Sequence, residues 1–325
     1  GGDGRSANFT IDGANVNNNF GLTSTLPGGG MPVSLDAIEE VQIVVSPFDV
    51  RQSNFIGGGV NAITKYGTNK VKGTAYVYHQ NGKWLHGHNL FGKEISGLAD
   101  YLEEKETVYG ATVGFPILKN KLFFFGSFEY TGKPNVVNAW RASDDGKMDK
   151  DNNISRASKA DLDRVSKHLM DTYGYDTGGY TNWTKETNNL KLLGRIDWNI
   201  NQNHHLALRV NYTTNKKWMP TNGSSGDWDS TVDNGEDKLT GTRLSFNRLS
   251  QYSMAFVNSM YSMENNVFTA SLDLNSRLGD NLSNSFLATY SNIQDIRGSD
   301  SDKFPFIDIM YGYDAASGVQ TLEPY

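Results

Sequence analysis

The chain of 325 residues carries a formal net charge of -6, has 34 glycines and no cysteine, and has a mean hydropathy of -0.53. Its length fits two domains or one large β domain, and the absence of cysteine excludes a disulfide framework, a thiolate zinc site and a cysteine nucleophile. The acidic balance argues against nucleic acid as a partner. No apolar run approaches about 18 residues, which excludes a transmembrane helix but not a transmembrane β-barrel, whose strands alternate.

The first 66 residues are rich in glycine and asparagine, and helical periodicity is nearly absent from them. One short helical turn is predicted at 34–38, where the side chain of Ser34 is placed to cap it. Short β-like runs lie at 9–12, 39–45 and 59–64. We therefore predict a small domain of mixed α/β structure over residues 1–66, with many glycine-dependent turns.

A different pattern begins near Lys70. Residues 190–200 alternate strictly, with leucine, isoleucine and tryptophan on one face and mainly charged and polar side chains on the other. This length of alternation is what a tilted strand needs to cross a bilayer. The clearest predicted strands are 190–200, 205–213 and 267–275, and weaker ones cover 71–79, 107–115, 122–130 and 282–291.

The connections between these strands alternate between short and long. Short ones lie at 116–121, 201–204 and 276–281, and long ones at about 82–106, 131–189, 214–266 and 294–325. Long loops are uncommon in compact domains, whereas a membrane barrel has short periplasmic turns and long extracellular loops. The chain is thus predicted to be mainly β, with residues 67–325 in a partial transmembrane antiparallel β-barrel. A soluble β-sandwich or propeller also has alternating strands and is the competing interpretation.

The long connections contain one stretch with helical spacing. Apolar side chains three or four residues apart fall on one face of 157–173, and Gly174 follows, so a short loop helix is predicted. The tryptophans of the long connections are placed either to stack on a sugar or peptide or to anchor loop packing. These residues are Trp183, Trp218 and Trp228.

Motifs for catalysis and cofactor binding are not evident. The glycines at 57–59 precede a strand-like segment rather than a helix, so neither nucleotide binding nor any other cofactor is expected. Aspartates at alternate positions in two long connections are weak candidates for calcium ligands, because the glycine and glutamate of a calcium-binding hand are missing. These candidates are Asp149, Asp151, Asp227 and Asp229. No arrangement of nucleophile, base and orienting group stands out, so we do not expect an enzyme.

One predicted contact links the two regions. Arg51 lies in the glycine-rich N-terminal region, and Glu129 lies on the polar face of the strand 122–130. If the first region fills the barrel, Glu129 points at it, and a carboxylate there requires a cationic or hydrogen-bonding partner. We predict that Arg51 and Glu129 pair across this boundary.

Several motifs resemble the TonB-dependent receptors of Gram-negative outer membranes. Similarity to their plug domain lies in FTIDGANV (9–16), AIEEVQIVVSPFDV (37–50) and GGGVNAITKYGTN (57–69). Similarity to their third barrel strand, with its glutamate, lies in FGSFEY (125–130). Together with FPFIDI (304–309), these motifs look like the Oar-like subgroup known mainly from Bacteroidota and myxobacteria. One departure is Val45, which stands where the common plug motif has arginine.

The resemblance implies that residues 1–66 are the C-terminal part of a plug domain and residues 67–325 the N-terminal portion of a barrel in the outer membrane. The family's barrels have about 22 strands, of which seven are predicted in this chain. Seven is odd, whereas bacterial single-chain barrels have an even number of strands. We therefore expect the chain to be a fragment of a longer receptor.

The function implied by the resemblance is active transport of a bulky peptide, protein or glycan, which binds at the loops and the plug apex before the plug opens. The implied partners are outer-membrane lipid and lipopolysaccharide, the TonB–ExbB–ExbD complex, an extracellular substrate and a surface lipoprotein or other outer-membrane protein. Expected plug-apex contacts are Asn17, Asn18, Asn19, Phe20, Leu26 and Pro27. Two alternatives are a surface adhesion protein that uses the long loops and a soluble carbohydrate-binding β module.

Overall fold

The computed structural model describes residues 8–17, 31–45, 58–82, 105–221, 248–251 and 253–307, together with the backbone of a few further short strand segments. In chain order the strands are β1 (Asn8–Ile11), β2 (Ala14–Asn15), β3 (Ile38–Val45), β4 (Gly58–Thr64), β5 (Lys72–Asn81), β6 (Asn89–Leu90), β7 (Lys93–Glu94), β8 (Lys105–Leu118), β9 (Leu122–Val136), β10 (Arg141–Ser143), β11 (Ile154–Ser158), β12 (Thr184–Asn199), β13 (His204–Met219), β14 (Thr231–Asp233), β15 (Lys238–Leu239), β16 (Tyr261–Arg277), β17 (Ser283–Gly298), β18 (Tyr313–Asp314) and β19 (Val319–Gln320). One α-helix is described, α1 (Lys159–Tyr173). Within the described ranges, no helix is both long and apolar enough to cross a membrane.

The largest element is a seven-stranded antiparallel sheet in the order β17-β16-β13-β12-β9-β8-β5, which we call the wall sheet. Its strands are the seven that alternation predicts, so this part of the fold prediction is confirmed. Most of them extend further than expected: β12 begins at Thr184 rather than 190, and β13 ends at Met219 rather than 213. The ladder continues because main-chain hydrogen bonds do not need apolar side chains.

The exposed and buried faces of the wall sheet have the reverse polarity of those in a soluble sheet. Its outer face carries apolar side chains that are largely exposed, and its inner face carries polar side chains that are buried. Exposed examples are Phe128, Leu192, Ile196, Trp198, Leu208, Val210 and Phe268. Buried examples are Ser127, Arg195, Asp197, Asn211, Thr213, Thr269 and Ser271. Apolar groups facing outwards around a polar interior are typical of strands that cross a bilayer.

A second, four-stranded sheet packs against the inner face, and we call it the inner sheet. Its order is β2-β1-β4-β3, with β1 parallel to β4 and the other pairs antiparallel. Asp12 and Gly13 connect β1 to β2 with φ values of 47° and 83°, the positive range in which an Asp-Gly turn joins a tight hairpin. The predicted turn near Ser34 is confirmed as a 3-10 helix at Leu35–Ala37, capped by the Ser34 side chain.

The connection between β9 and β12 contains the predicted loop helix. Ser158 caps α1 by accepting a hydrogen bond from the Asp161 amide, and Gly174 ends it in the left-handed conformation. Leu162 packs against Ala142 and Ala157 of the small parallel pair β10 and β11. The helix also meets other connections, since Met254 and Phe256 pack against the same cluster and the Tyr173 ring contacts Phe304.

Candidate functional site

The site with the strongest chemistry is the contact region between the inner sheet and the inner face of the wall sheet, which we call the inner interface. Its centre is apolar: Phe125, Leu193 and Val267 of the wall sheet interrupt an otherwise polar face and join one hydrophobic cluster with the inner sheet. The other side chains in this cluster belong to the inner sheet and the segments adjoining its strands, and they include Phe9, Ile11, Val16, Val33, Ala37 and Ala62. Burying these side chains stabilises the packing of the inner sheet against the wall sheet.

Glu129 of β9 is the acceptor of a hydrogen-bonding network at one side of the inner interface. Lys191 Nζ lies 2.8 Å from Glu129 Oε1, and Tyr76 OH donates to Oε2 at 2.7 Å. Ser34 Oγ, from the inner-sheet region, donates to the same Oε2 at 2.9 Å. The carboxylate is thus balanced by one cation and two hydroxyl groups, and one of these donors connects it to the inner sheet.

Tyr76 reaches Glu129 because its cross-strand neighbour is a glycine. Tyr76 of β5 pairs with Gly110 of β8, and a Cβ atom on Gly110 would overlap the tyrosine ring. The ring occupies the space above Gly110, from which its hydroxyl contacts both Ser34 and Glu129. A small residue at position 110 is therefore part of this network.

Gly110→Ala is expected to displace the Tyr76 ring and remove its hydrogen bonds to Glu129 and Ser34. The loss should lower the free energy of unfolding by about 2 kcal/mol, since one of the two bonds has a charged acceptor. Guanidinium titration of the protein in detergent measures this change. The control is Gly194→Ala, because a Cβ atom there meets nothing within 4 Å. An equal effect of both variants would contradict the proposed role of Gly110.

Asp36 makes a second polar contact beside this network. Its carboxylate accepts hydrogen bonds from the hydroxyl groups of Thr74 and, at 3.4 Å, Thr112, which are cross-strand partners on β5 and β8. Lys65 Nζ lies 3.7 Å from Asp36 Oδ1 and donates to the Asp36 carbonyl at 2.7 Å. The turn that carries Ser34 and Asp36 is thus bound to three wall strands.

Asp12 is the centre of a third group of contacts, on the opposite side of the hydrophobic cluster. Its carboxylate accepts hydrogen bonds from the amide and hydroxyl of Thr64, at 3.1 and 2.6 Å. Arg209 Nε lies 3.4 Å from Asp12 Oδ2, and Arg195 Nη1 lies 3.9 Å from Oδ1. Arg195 also donates two hydrogen bonds of 2.8 Å to Asp197 and one of 2.7 Å to the Thr64 carbonyl. This group of charges belongs to both sheets.

The long connections fold together at the far end of the wall strands. Trp183 precedes β12, whereas Trp218 lies at the end of β13 and not in a connection as predicted. The two side chains are 3% and 7% exposed and pack with Leu249, Val257 and Met260. Ring stacking of Tyr175 on Phe304, with centroids 4.2 Å apart, adds the segment after β17. In this arrangement both tryptophans are packing residues, which is one of the two roles that the sequence leaves open. Trp228 lies outside the described residues.

Most predicted substrate and metal contacts stay predictions. Of the plug-apex residues, Asn17 is described, and its side chain binds Asn8 and the Phe9 amide. Among the calcium candidates, Asp149 accepts hydrogen bonds from the side chain and amide of Asn152, which hold the pKa of its carboxyl below the ordinary value. In the described part of the chain, no group of three histidines or carboxylates is arranged to hold a metal ion. The remaining predicted residues outside the described ranges are Arg51, Asn18, Asn19, Phe20, Leu26, Pro27, Asp227 and Asp229.

The predicted pairing of Arg51 with Glu129 is likewise untested, because Arg51 lies outside the described residues. The sequence singled out Ser34 only as a helix cap, and it did not single out the other residues that make contacts of the inner interface. These residues are Asp12, Asp36, Tyr76, Lys191, Arg195 and Arg209. The usable signal was the polar face of the predicted strands, where Lys191, Arg195 and Arg209 stand among apolar neighbours.

Comparison with known proteins agrees with this architecture. A curated relative, the TonB-dependent transporter Oar of Myxococcus xanthus, is 24% identical over 222 residues, which are 63% of this chain and 18% of the relative. Two solved structures from Pseudomonas aeruginosa are also similar to this chain over part of their length. The siderophore receptor PirA has a TM-score of 0.47 and 11% identity, covering 90% of this chain and 34% of PirA. A mutant of the ferric enterobactin receptor PfeA, in complex with enterobactin, has a TM-score of 0.47 and 13% identity, with the same coverage.

The chain therefore spans less than a fifth of the curated relative and about a third of the solved receptors. The expected resemblance to TonB-dependent receptors and the outer-membrane localisation are confirmed, which is incompatible with the soluble carbohydrate-binding module. Membership of a Bacteroidota subgroup and the division of the chain at residue 66 stay predictions. The family model described as the outer membrane beta barrel domain matches residues 63–322, and this chain belongs to that family.

Proposed function

We propose that this chain is part of a TonB-dependent transporter, in which residues 1–66 form the C-terminal part of the plug and residues 67–325 the N-terminal portion of the barrel. The observation that carries the proposal is the inner interface. A separate sheet is held against the polar inner face of barrel strands by Glu129, Asp36 and Asp12. Such a sheet blocks the path through the barrel when it is seated.

The contacts of the inner interface suit a gate. Hydrogen bonds and ion pairs are strong while water is excluded and are replaced by water as the two sheets separate. Substrate would bind at the long extracellular connections and the plug apex, and the TonB–ExbB–ExbD complex would pull on the plug from the periplasm. In this mechanism the protein binds and gates, and no chemical step is needed.

The substrate proposed for this transporter is a bulky peptide, protein or glycan. The long connections support this proposal because their described residues pack around two hydrophobic clusters. A surface lipoprotein or other outer-membrane protein is a further proposed partner on that side, and lipopolysaccharide is the proposed neighbour of the outer face.

Uptake by living cells tests the proposed function. Three strains are compared: wild type, one lacking the full-length receptor gene and one lacking TonB. Each is given a defined mixture of isotope-labelled peptides, proteins and glycans, and depletion from the medium is followed by mass spectrometry. We expect each labelled molecule that remains in the medium with the receptor deletion strain to remain there with the TonB deletion strain as well.

Surface adhesion is the outcome that would contradict transport. A strain without the receptor would then deplete every labelled molecule at the wild-type rate but attach less well to surfaces. Deleting TonB would leave that attachment unchanged, because adhesion by the extracellular loops needs no energy from the inner membrane.

A further inference from the structure

Two arginines of the wall sheet stand directly opposite each other. Arg195 of β12 and Arg209 of β13 are cross-strand partners, and both side chains lie on the inner face. They are 8% and 13% exposed. Like charges directly opposite each other destabilise a sheet, and buried charges require partners of opposite sign. This pair of arginines therefore needs nearby carboxylates.

The wall sheet itself supplies two carboxylates, one of which binds its arginine more closely than the other. Asp197 binds Arg195 through two hydrogen bonds of 2.8 Å. Asp273 lies 3.8 Å from Arg209 Nη2, and Arg209 Nε is a buried donor without a hydrogen-bond partner. Arg195 is thus well paired within the wall sheet, whereas Arg209 is not.

Asp12 supplies the missing negative charge from the inner sheet. Within the described ranges it is the carboxylate nearest to Arg209, at 3.4 Å, and it also lies within 4 Å of Arg195. Its side chain is only 3% exposed. Among the described residues, Asp12 is the carboxylate of the inner sheet that forms ion pairs with these arginines.

The position of Asp12 is fixed by contacts within the inner sheet itself. Asp12 lies in the tight turn between β1 and β2, and Thr64 of β4 holds its carboxylate with two hydrogen bonds. Thr64 is fully buried. The charge is therefore presented by the folded inner sheet, and it moves away from the arginines only if the sheet moves.

We propose that Asp12 holds the gate closed by neutralising the facing Arg195–Arg209 pair, so that separating Asp12 from Arg209 is a required step of opening. This inference rests on the proposed function, because it assigns a role to the inner sheet as a gate. It reverses the polarity of the predicted Arg51–Glu129 contact: here the inner sheet contributes the carboxylate and the wall sheet contributes the cations.

The test measures ionic current through the full-length receptor in planar lipid bilayers, without substrate and without TonB. Asp12→Asn keeps the shape of the side chain and an oxygen that accepts from Thr64 but removes the charge. We expect it to raise the frequency of open-channel current at least about tenfold over wild type. Asp280→Asn is the matched control, because Asp280 is 99% exposed in a short connection, and it should stay closed like wild type.

A second substitution separates charge from fold. If the uncompensated Arg209 causes opening, the double variant Asp12→Asn, Arg209→Gln should open much less often than Asp12→Asn. Its open-channel current should return most of the way to the wild-type level, because the charge that needed Asp12 is gone. The proposal is overturned if Asp12→Asn stays closed in a correctly folded barrel, or if Arg209→Gln does not reduce its current. Because no substrate enters this measurement, its result is independent of the uptake experiment.

Discussion

Gly67→Ala is expected to unseat the inner sheet from the wall sheet. Gly67 is buried in the segment that connects β4 to β5, and a Cβ atom there would overlap the Phe124 carbonyl oxygen and lie 2.9 Å from its carbon and nitrogen. Phe124 is paired with Phe115 on one side and with Ile196 on the other, so its backbone cannot move aside. The connecting segment must move instead.

The cost of this displacement is about 3 kcal/mol, the upper part of the usual range for overpacking, because the clash is with backbone rather than with a rotatable side chain. Hydrogen exchange of the full-length receptor in detergent measures it. We expect the amides of β4 to exchange about a hundredfold faster than in wild type. Gly194→Ala, which meets nothing within 4 Å, is the control. Unchanged protection of β4 in Gly67→Ala would show that the connecting segment does not determine the seating of the inner sheet.

The wall sheet was predictable from the sequence because its two faces meet different solvents. At 190–200 and 205–213, apolar and polar residues alternate because one side chain points towards lipid and the next towards the interior. This pattern locates β12 and β13 directly. In the residues before Leu190 the side chains on both faces are polar, so alternation predicts no strand there. The strand itself continues to Thr184, because its ladder with β9 depends on main-chain groups.

The inner interface was less predictable, because its contacts join residues that are far apart in the chain. Glu129 was correctly assigned to the polar face of its strand, but its partner Lys191 follows from the register of β9 with β12, which alternation does not determine. Asp-Gly is favoured in tight hairpins for local reasons, so the sequence around Asp12 indicates no further role for its carboxylate. Its second role emerges only when the inner sheet is placed against Arg209.

Glu129→Gln is expected to destabilise the folded receptor more than any exposed charge substitution, because it leaves Lys191 buried without a carboxylate. The Glu129 and Lys191 side chains are 13% and 17% exposed, and removing one partner of a pair this far from water costs about 3 kcal/mol. The free energy of unfolding is measured by guanidinium titration in detergent. The control is Asp171→Asn in the exposed Lys167–Asp171 pair of α1, for which about 0.5 kcal/mol or less is expected.

Combining Glu129→Gln with Lys191→Met tests whether the charge itself is responsible. Removing both partners takes away the desolvated charge as well as the ion pair, and replacing a buried pair by uncharged groups is often close to neutral. The double variant should therefore be more stable than Glu129→Gln alone, with a coupling energy above about 1 kcal/mol. Additive losses would instead mean that Glu129 acts mainly through its hydrogen bonds from Ser34 and Tyr76. The link between the inner sheet and the wall would then depend on hydroxyl groups, and Gly110→Ala would weaken it as strongly as Glu129→Gln.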